Sequence, residues 1–123
     1  MPPLRKAAVL VVEDNAVARG LVEKLLHSNG YEVVTASDVS EGIAALGHEP
    51  HWLLVDILLP DGTGMEVLAE ARRRRLPVQV GIMTGIAGTE FDVMDYLSEY
   101  APDECFSKPV NGNCLLKWLQ RPL

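Results

Sequence analysis

The chain of 123 residues is 48% hydrophobic with no break in composition, which fits a single domain over 1–123, with a core over about 7–120, that buries roughly two-thirds of its unfolded surface. Eleven Lys and Arg stand against 17 Asp and Glu, a net charge of −6, so most of the surface repels nucleic acid and anionic membrane. The apolar stretch AAVLVV after Arg5 and Lys6 stops at Glu13, too short for a signal-peptide core or a membrane span.

Taken in chain order, short apolar runs rich in β-branched residues occur at AVLVV (8–12), YEVVTA (31–36), WLLVD (52–56), VQVGIM (78–83) and ECFS (104–107). Each reads as a strand. Between and after them, apolar residues recur at helical spacing: Val17, Leu21, Val22, Leu25 and Leu26, then Ile43 and Leu46, Val67 and Leu68, Val93 and Leu97, and finally Leu115, Leu116 and Leu119. These predict five helices. Gly30 is placed to close the first, Ser37 and Asp38 to cap the second, Pro77 to end the third and Pro122 the fifth. Strands without polar alternation are buried on both faces, and strands separated by helices pair in parallel through right-handed crossovers. The expected class is α/β, a doubly wound five-stranded parallel sheet.

In such sheets the functional crevice lies beyond the carboxyl ends of the strands. Those ends carry Glu13 and Asp14, then Asp56, Thr84 and Lys108. One acid at a strand end is usually a cap or a solvated loop residue. Three acids brought together repel one another unless a cation sits among them, and an all-oxygen set suits Mg²⁺. Thr84 can donate a hydrogen bond and Lys108 a point charge to an anion with several oxygens, which describes a phosphoryl group. Asp56, buried in LLVDILLPDGTG (53–64), then reads as the nucleophile that forms an aspartyl-phosphate.

The segments VVEDN (11–15), VDILLPDGTG (55–64), MTG (83–85) and SKPV (107–110) together resemble the receiver domain of two-component response regulators, CheY-like and flavodoxin-like, over roughly residues 7–120. The resemblance implies a strand order of 2-1-3-4-5 and a phosphoacceptor switch rather than an enzyme. Asp56, Thr84 and Lys108 would be its reactive set. Asp14, Asp56, Glu13 directly or through water, and the backbone carbonyl of Leu58 would hold Mg²⁺. A cytoplasmic histidine kinase or histidine phosphotransfer protein would supply the phosphoryl group and a downstream protein would read it, with no direct part for nucleic acid or membrane. The bond before Pro109 is a candidate cis peptide. In similar domains the residues two positions after the phosphoacceptor and two after the threonine, here Leu58 and Ile86, tune hydrolysis. Both are apolar, which implies slow loss of phosphate.

One departure is Cys105, at a position where similar domains usually carry an aromatic residue; Phe106 beside it points to the opposite face of the strand. Readout through the Gly85–Gly88 segment is the expectation that follows. Other readings fit less well. A haloacid-dehalogenase-type phosphatase would carry a second Asp where Leu58 stands, and a flavin binder would carry Ser, Thr and Gly where Glu13 and Asp14 stand. A receiver-like interaction module that signals without phosphorylation would not need Asp14, Asp56, Thr84 and Lys108 together. The arginine run 72–75 reads as a solvated helix end, with Glu70 and Arg74 an i,i+4 pair. His27, His48 and His51 read as surface or loop residues, Trp52 and Trp118 as packing anchors, and Cys105 and Cys114 as reduced, buried, small apolar side chains.

Overall fold

The computed structural model describes residues 7–85 and 102–121. Five parallel strands form one sheet: β1 (Ala8–Val12), β2 (Glu32–Ala36), β3 (Trp52–Asp56), β4 (Gln79–Thr84) and β5 (Glu104–Ser107). Their order across the sheet is β2-β1-β3-β4-β5, the doubly wound arrangement implied by the resemblance. Four helices are described: α1 (Ala16–Ser28), α2 (Val39–Ala45), α3 (Gly64–Arg73) and α4 (Gly112–Leu119). The helix expected around Val93 and Leu97, and the stop expected at Pro122, lie outside the described residues.

Every residue of β1 and β3 is buried, as their unbroken apolar runs require. Because successive side chains of a strand point to opposite faces, the two strands divide their residues between two cores. Leu10, Val12, Leu53 and Val55 pack with Met65, Val67 and Leu68 under α2 and α3. Val9, Val11 and Leu54 pack with Leu26, Leu115 and Trp118 under α1 and α4. Trp52 and Trp118 are both buried, the latter edge-on to Phe106 with ring centroids 5.5 Å apart. Gly81 makes room for that pair: a Cβ there would lie 2.9 Å from the Phe106 ring and 3.1 Å from Trp118.

The helix ends follow local chemistry. Asn15 caps α1 by accepting from the Ala18 amide at 2.9 Å, and Gly30 leaves it at φ 86°. Asp38 caps α2, accepting from Glu41 N at 2.8 Å, and the Glu66 carboxylate reaches back to Thr63 N at 2.9 Å at the start of α3. α3 stops at Arg73, well before Pro77, because Arg75 turns into the left-handed region at φ 56°. Within the arginine run, Arg73 and Arg74 both pair with Glu70, at 2.6 and 2.9 Å. These hydrogen bonds, Arg73 first, hold the Glu70 carboxyl down to about 2. Arg72 turns inward, donating to Val78 O at 3.0 Å and to Asp103 at 3.2 Å.

One expectation needs correction, that of buried cysteines, and two findings extend the reading. Val17 and Leu21, whose spacing marks α1, are 73% and 66% exposed. The apolar arc of that helix is wider than the face the sheet covers, and only Leu26, with half-buried Val22 and Leu25, faces inward. Cys105 and Cys114 are exposed rather than buried; along β5 it is Phe106 that faces the core and Cys105 that faces out. His51 is more than a loop residue, since its Nδ1 accepts from Ala8 N at 3.0 Å and secures the start of β1.

Candidate functional site

The first turn beyond β1 sets the site. Glu13 N still donates to Ala36 O of β2 at 3.0 Å, so Glu13 stays in the ladder and its side chain is buried, 1% exposed. Asp14 has left the sheet and is exposed. Asp56 ends β3, 5% exposed. One ligand atom from each of the three carboxylates lies within 4.8 Å of the others, so the sequence-predicted acids do converge.

Lys108 reaches them from the end of β5. Its amide donates to Thr84 O at 2.8 Å, which extends the β4–β5 pairing and sets the start of the side chain. Its Nζ donates to Asp56 Oδ2 at 2.7 Å and forms an ion pair with Glu13 Oε1 at 2.6 Å. The Lys108–Pro109 peptide is cis, as the sequence suggested. Burial pulls the Lys108 ammonium down, but its bonds to Asp56 and then Glu13 outweigh that and raise its pKa, so the lysine is charged at neutral pH. Burial pushes the Glu13 carboxyl up, with neighbouring Asp56 adding to the effect and Lys108 opposing it.

The loop after Asp56 is tied down on several sides. Leu58 N donates to Asp56 Oδ1 at 3.2 Å, Gly64 N to Ile57 O at 3.0 Å, and Ile57 N to Met83 O at 2.9 Å. Leu58–Leu59 and Gly62–Thr63 form a short antiparallel hairpin. A Cβ on Gly64 would lie far inside the van der Waals contact distance to the Asp56 carbonyl oxygen, so only glycine lets α3 begin this close to the acid. Asp61, which the sequence did not single out, accepts from Val39 N at 2.7 Å, Ser40 N at 3.1 Å and Ser40 Oγ at 3.2 Å. Those bonds, Val39 first, hold its carboxyl below the ordinary value and pin the loop to the start of α2.

Above the acids opens a cleft of about 790 Å³, lined by Asp14, Asp56 and Lys108 on its polar side and by Val17, Leu21 and Leu58 on its apolar side. Thr84, half-buried, ends β4 one residue after Met83, the register partner of Asp56. Gly85 lines the cleft. Gly88 and Ile86, expected to shape mobility and hydrolysis, lie outside the described residues.

The donor set fits a hard divalent cation. The three clustered ligand atoms, from Glu13, Asp14 and Asp56, are all carboxylate oxygens, a hard donor set. One lysine charge is too little to neutralise three carboxylates at this separation.

Parallel sheet, strand order and acid pocket together define a CheY-like α/β domain. The model of the response regulator receiver domain matches residues 9–120, and the chain belongs to that family of two-component signalling domains. It is 32% identical over 109 residues to the transcriptional regulatory protein CpxR of Klebsiella pneumoniae, covering 88% of this chain and 45% of CpxR. It is likewise 32% identical over 104 residues to the alkaline phosphatase synthesis transcriptional regulatory protein PhoP of Bacillus subtilis, covering 84% of this chain and 42% of PhoP. The chain thus spans about half the length of the curated relatives it matches. Among solved structures, a CheY-like receiver domain protein of Methanospirillum hungatei superposes with a TM-score of 0.84 at 31% identity, covering 94% of this chain and 92% of that one. The chemotaxis response regulator CheY4 of Vibrio cholerae gives 0.84 at 29% identity, covering 97% and 100%. Among the described residues no helix is long and apolar enough to cross a membrane.

Proposed function

We propose that the domain takes a phosphoryl group onto Asp56 from a phosphohistidine on a kinase or phosphotransfer protein in the cytoplasm, with Mg²⁺ bound, and thereby changes its affinity for a downstream protein. The observation that carries this reading is the Lys108 ammonium seated between Asp56 and Glu13. A buried carboxylate is a useful nucleophile only if it is deprotonated and if the charge arriving on the phosphoryl oxygens is met by fixed positive charge.

Asp56 attacks phosphorus with Oδ while the bond to the donor nitrogen breaks, and the histidine leaves. Lys108 is released from Asp56 to an oxygen of the incoming group, and the Thr84 hydroxyl donates a hydrogen bond to another. Glu13, Asp14, Asp56 and the Leu58 carbonyl would hold Mg²⁺, which supplies charge neutralisation for the transferring phosphoryl. The exposed apolar rim of Val17, Leu21 and Leu58 gives the donor protein a surface to dock on beside the acid.

Incubation with acetyl phosphate followed by intact-mass measurement tests the reading. One phosphate adduct in Mg²⁺ and none in EDTA is expected; equal adduct in EDTA would overturn it.

The adduct should decay slowly. Leu58 is 54% exposed over the cleft and has no group that could orient a water for in-line attack. In Leu58→Asn the amide can hold that water, so the decay after donor removal should quicken several-fold. An unchanged decay would remove Leu58 from the account.

A further inference from the structure

The two consecutive acids at the end of β1 pose a geometric problem that the residues so far described do not solve. In an extended strand, neighbouring side chains point to opposite faces, yet Glu13 and Asp14 both place a carboxylate oxygen within reach of Asp56. The backbone between them must turn. Although the Glu13 amide still pairs with β2, the carbonyls of 13 and 14 come ahead of the first helical bond, which runs from Arg19 N to Asn15 O at 2.9 Å. Such carbonyls need other donors.

One side chain meets both. Arg19 Nη1 donates to Glu13 O at 2.9 Å and lies 3.5 Å from Asp14 O, so a single guanidinium nitrogen, one turn into α1, gathers the two carbonyls. The side chain is half-buried, and its charge is permanent at any working pH. It joins α1 and the acid-bearing turn into one unit without touching a carboxylate.

We propose that Arg19 is a positioning residue for the cation site: it fixes the turn that brings the Glu13 and Asp14 carboxylates to the same side as Asp56. The proposal rests on the Mg²⁺-dependent reading above but is tested by binding rather than by phosphoryl transfer. Partners that orient metal ligands from outside the coordination shell typically govern affinity by about 10–100-fold.

The probe is Mg²⁺ alone, titrated calorimetrically into the full chain. R19M should raise the Mg²⁺ Kd about tenfold, while its melting temperature in EDTA stays close to wild type. R19K, which keeps a cationic donor but loses the planar fork, should fall between the two. Amide resonances of Asp14 and Asn15 should move when Mg²⁺ is added to wild type and respond in R19M only at a higher concentration. An R19M that binds Mg²⁺ as wild type does overturns the proposal. So does a melting temperature that falls in EDTA while the Kd of the folded protein is unchanged, which would make Arg19 merely structural. Should R19M fail to fold, R19K is read alone and must bind more weakly at an unchanged Mg²⁺-free melting temperature. Wild-type protein that binds no Mg²⁺ overturns this proposal and the Mg²⁺-dependent function together; wild type that binds Mg²⁺ but accepts no phosphate overturns the function alone.

Discussion

Asp56→Asn should give no phosphate adduct at any acetyl phosphate concentration. The side chain is nearly isosteric, so the Leu58 N–H can still donate to the amide oxygen and β3 is undisturbed. The nucleophile is nevertheless lost, since an amide oxygen has neither the charge nor the lone-pair basicity of a carboxylate. The substitution also leaves Lys108 with Glu13 as its remaining short-range anion, so the lysine stays charged and the pocket does not collapse. Intact mass and peptide mapping check the result. An adduct persisting on another residue of the variant would show that the acid pocket hosts a different acceptor, and Asp14, exposed in the same cleft, is the first place to look.

AVLVV and WLLVD match β1 and β3 to the residue because both strands are buried on both faces, and ECFS matches β5 to the residue although that edge strand buries only Phe106. The acids at the carboxyl ends were legible only as a group, since any one of them could be a cap, but several closing neighbouring parallel strands meet in one crevice. α1 was read less well. Helical periodicity reports which positions are apolar, not which side of the helix is covered, and Val17 and Leu21 continue the apolar arc into solvent. Arg19 and Asp61 left no trace, because their partners are backbone atoms. Asp61 bonds to amides 22 and 21 residues away, and neither composition nor spacing encodes such a contact. The cysteines were misplaced because a residue type's usual preference stood in for knowledge of the strand face.

The second large effect is expected from Lys108→Ala. Removing the ammonium leaves Glu13 and Asp56, both nearly buried, facing each other with no positive charge between them. Stripping one partner from a buried ionic cluster costs about 3–5 kcal/mol in comparable settings. The variant should therefore melt well below wild type in EDTA, and added Mg²⁺ should recover much of the loss by supplying the missing charge to the same acids. Phosphorylation should not recover with it. The lysine's proposed work falls on the phosphoryl oxygens during transfer, and a fall in rate of about 100-fold or more is expected where one such stabilising group is removed. Thermal melts with and without Mg²⁺, beside adduct formation at saturating Mg²⁺, separate the two effects. A variant whose stability does not respond to Mg²⁺, or whose adduct forms at the wild-type rate, would refute this account of the lysine.

The sheet splits the interior into two sets of side chains, one beneath α2 and α3 and one beneath α1 and α4. It acts as a party wall. Exchange of the exposed rim residues Val17 and Leu21 on α1 can proceed without repacking beneath α2 and α3, where the loop after Asp56 is anchored. On the proposed function, the donor's address can thus be rewritten at Val17 and Leu21, whose side chains border the acids without being ligands or reactive groups.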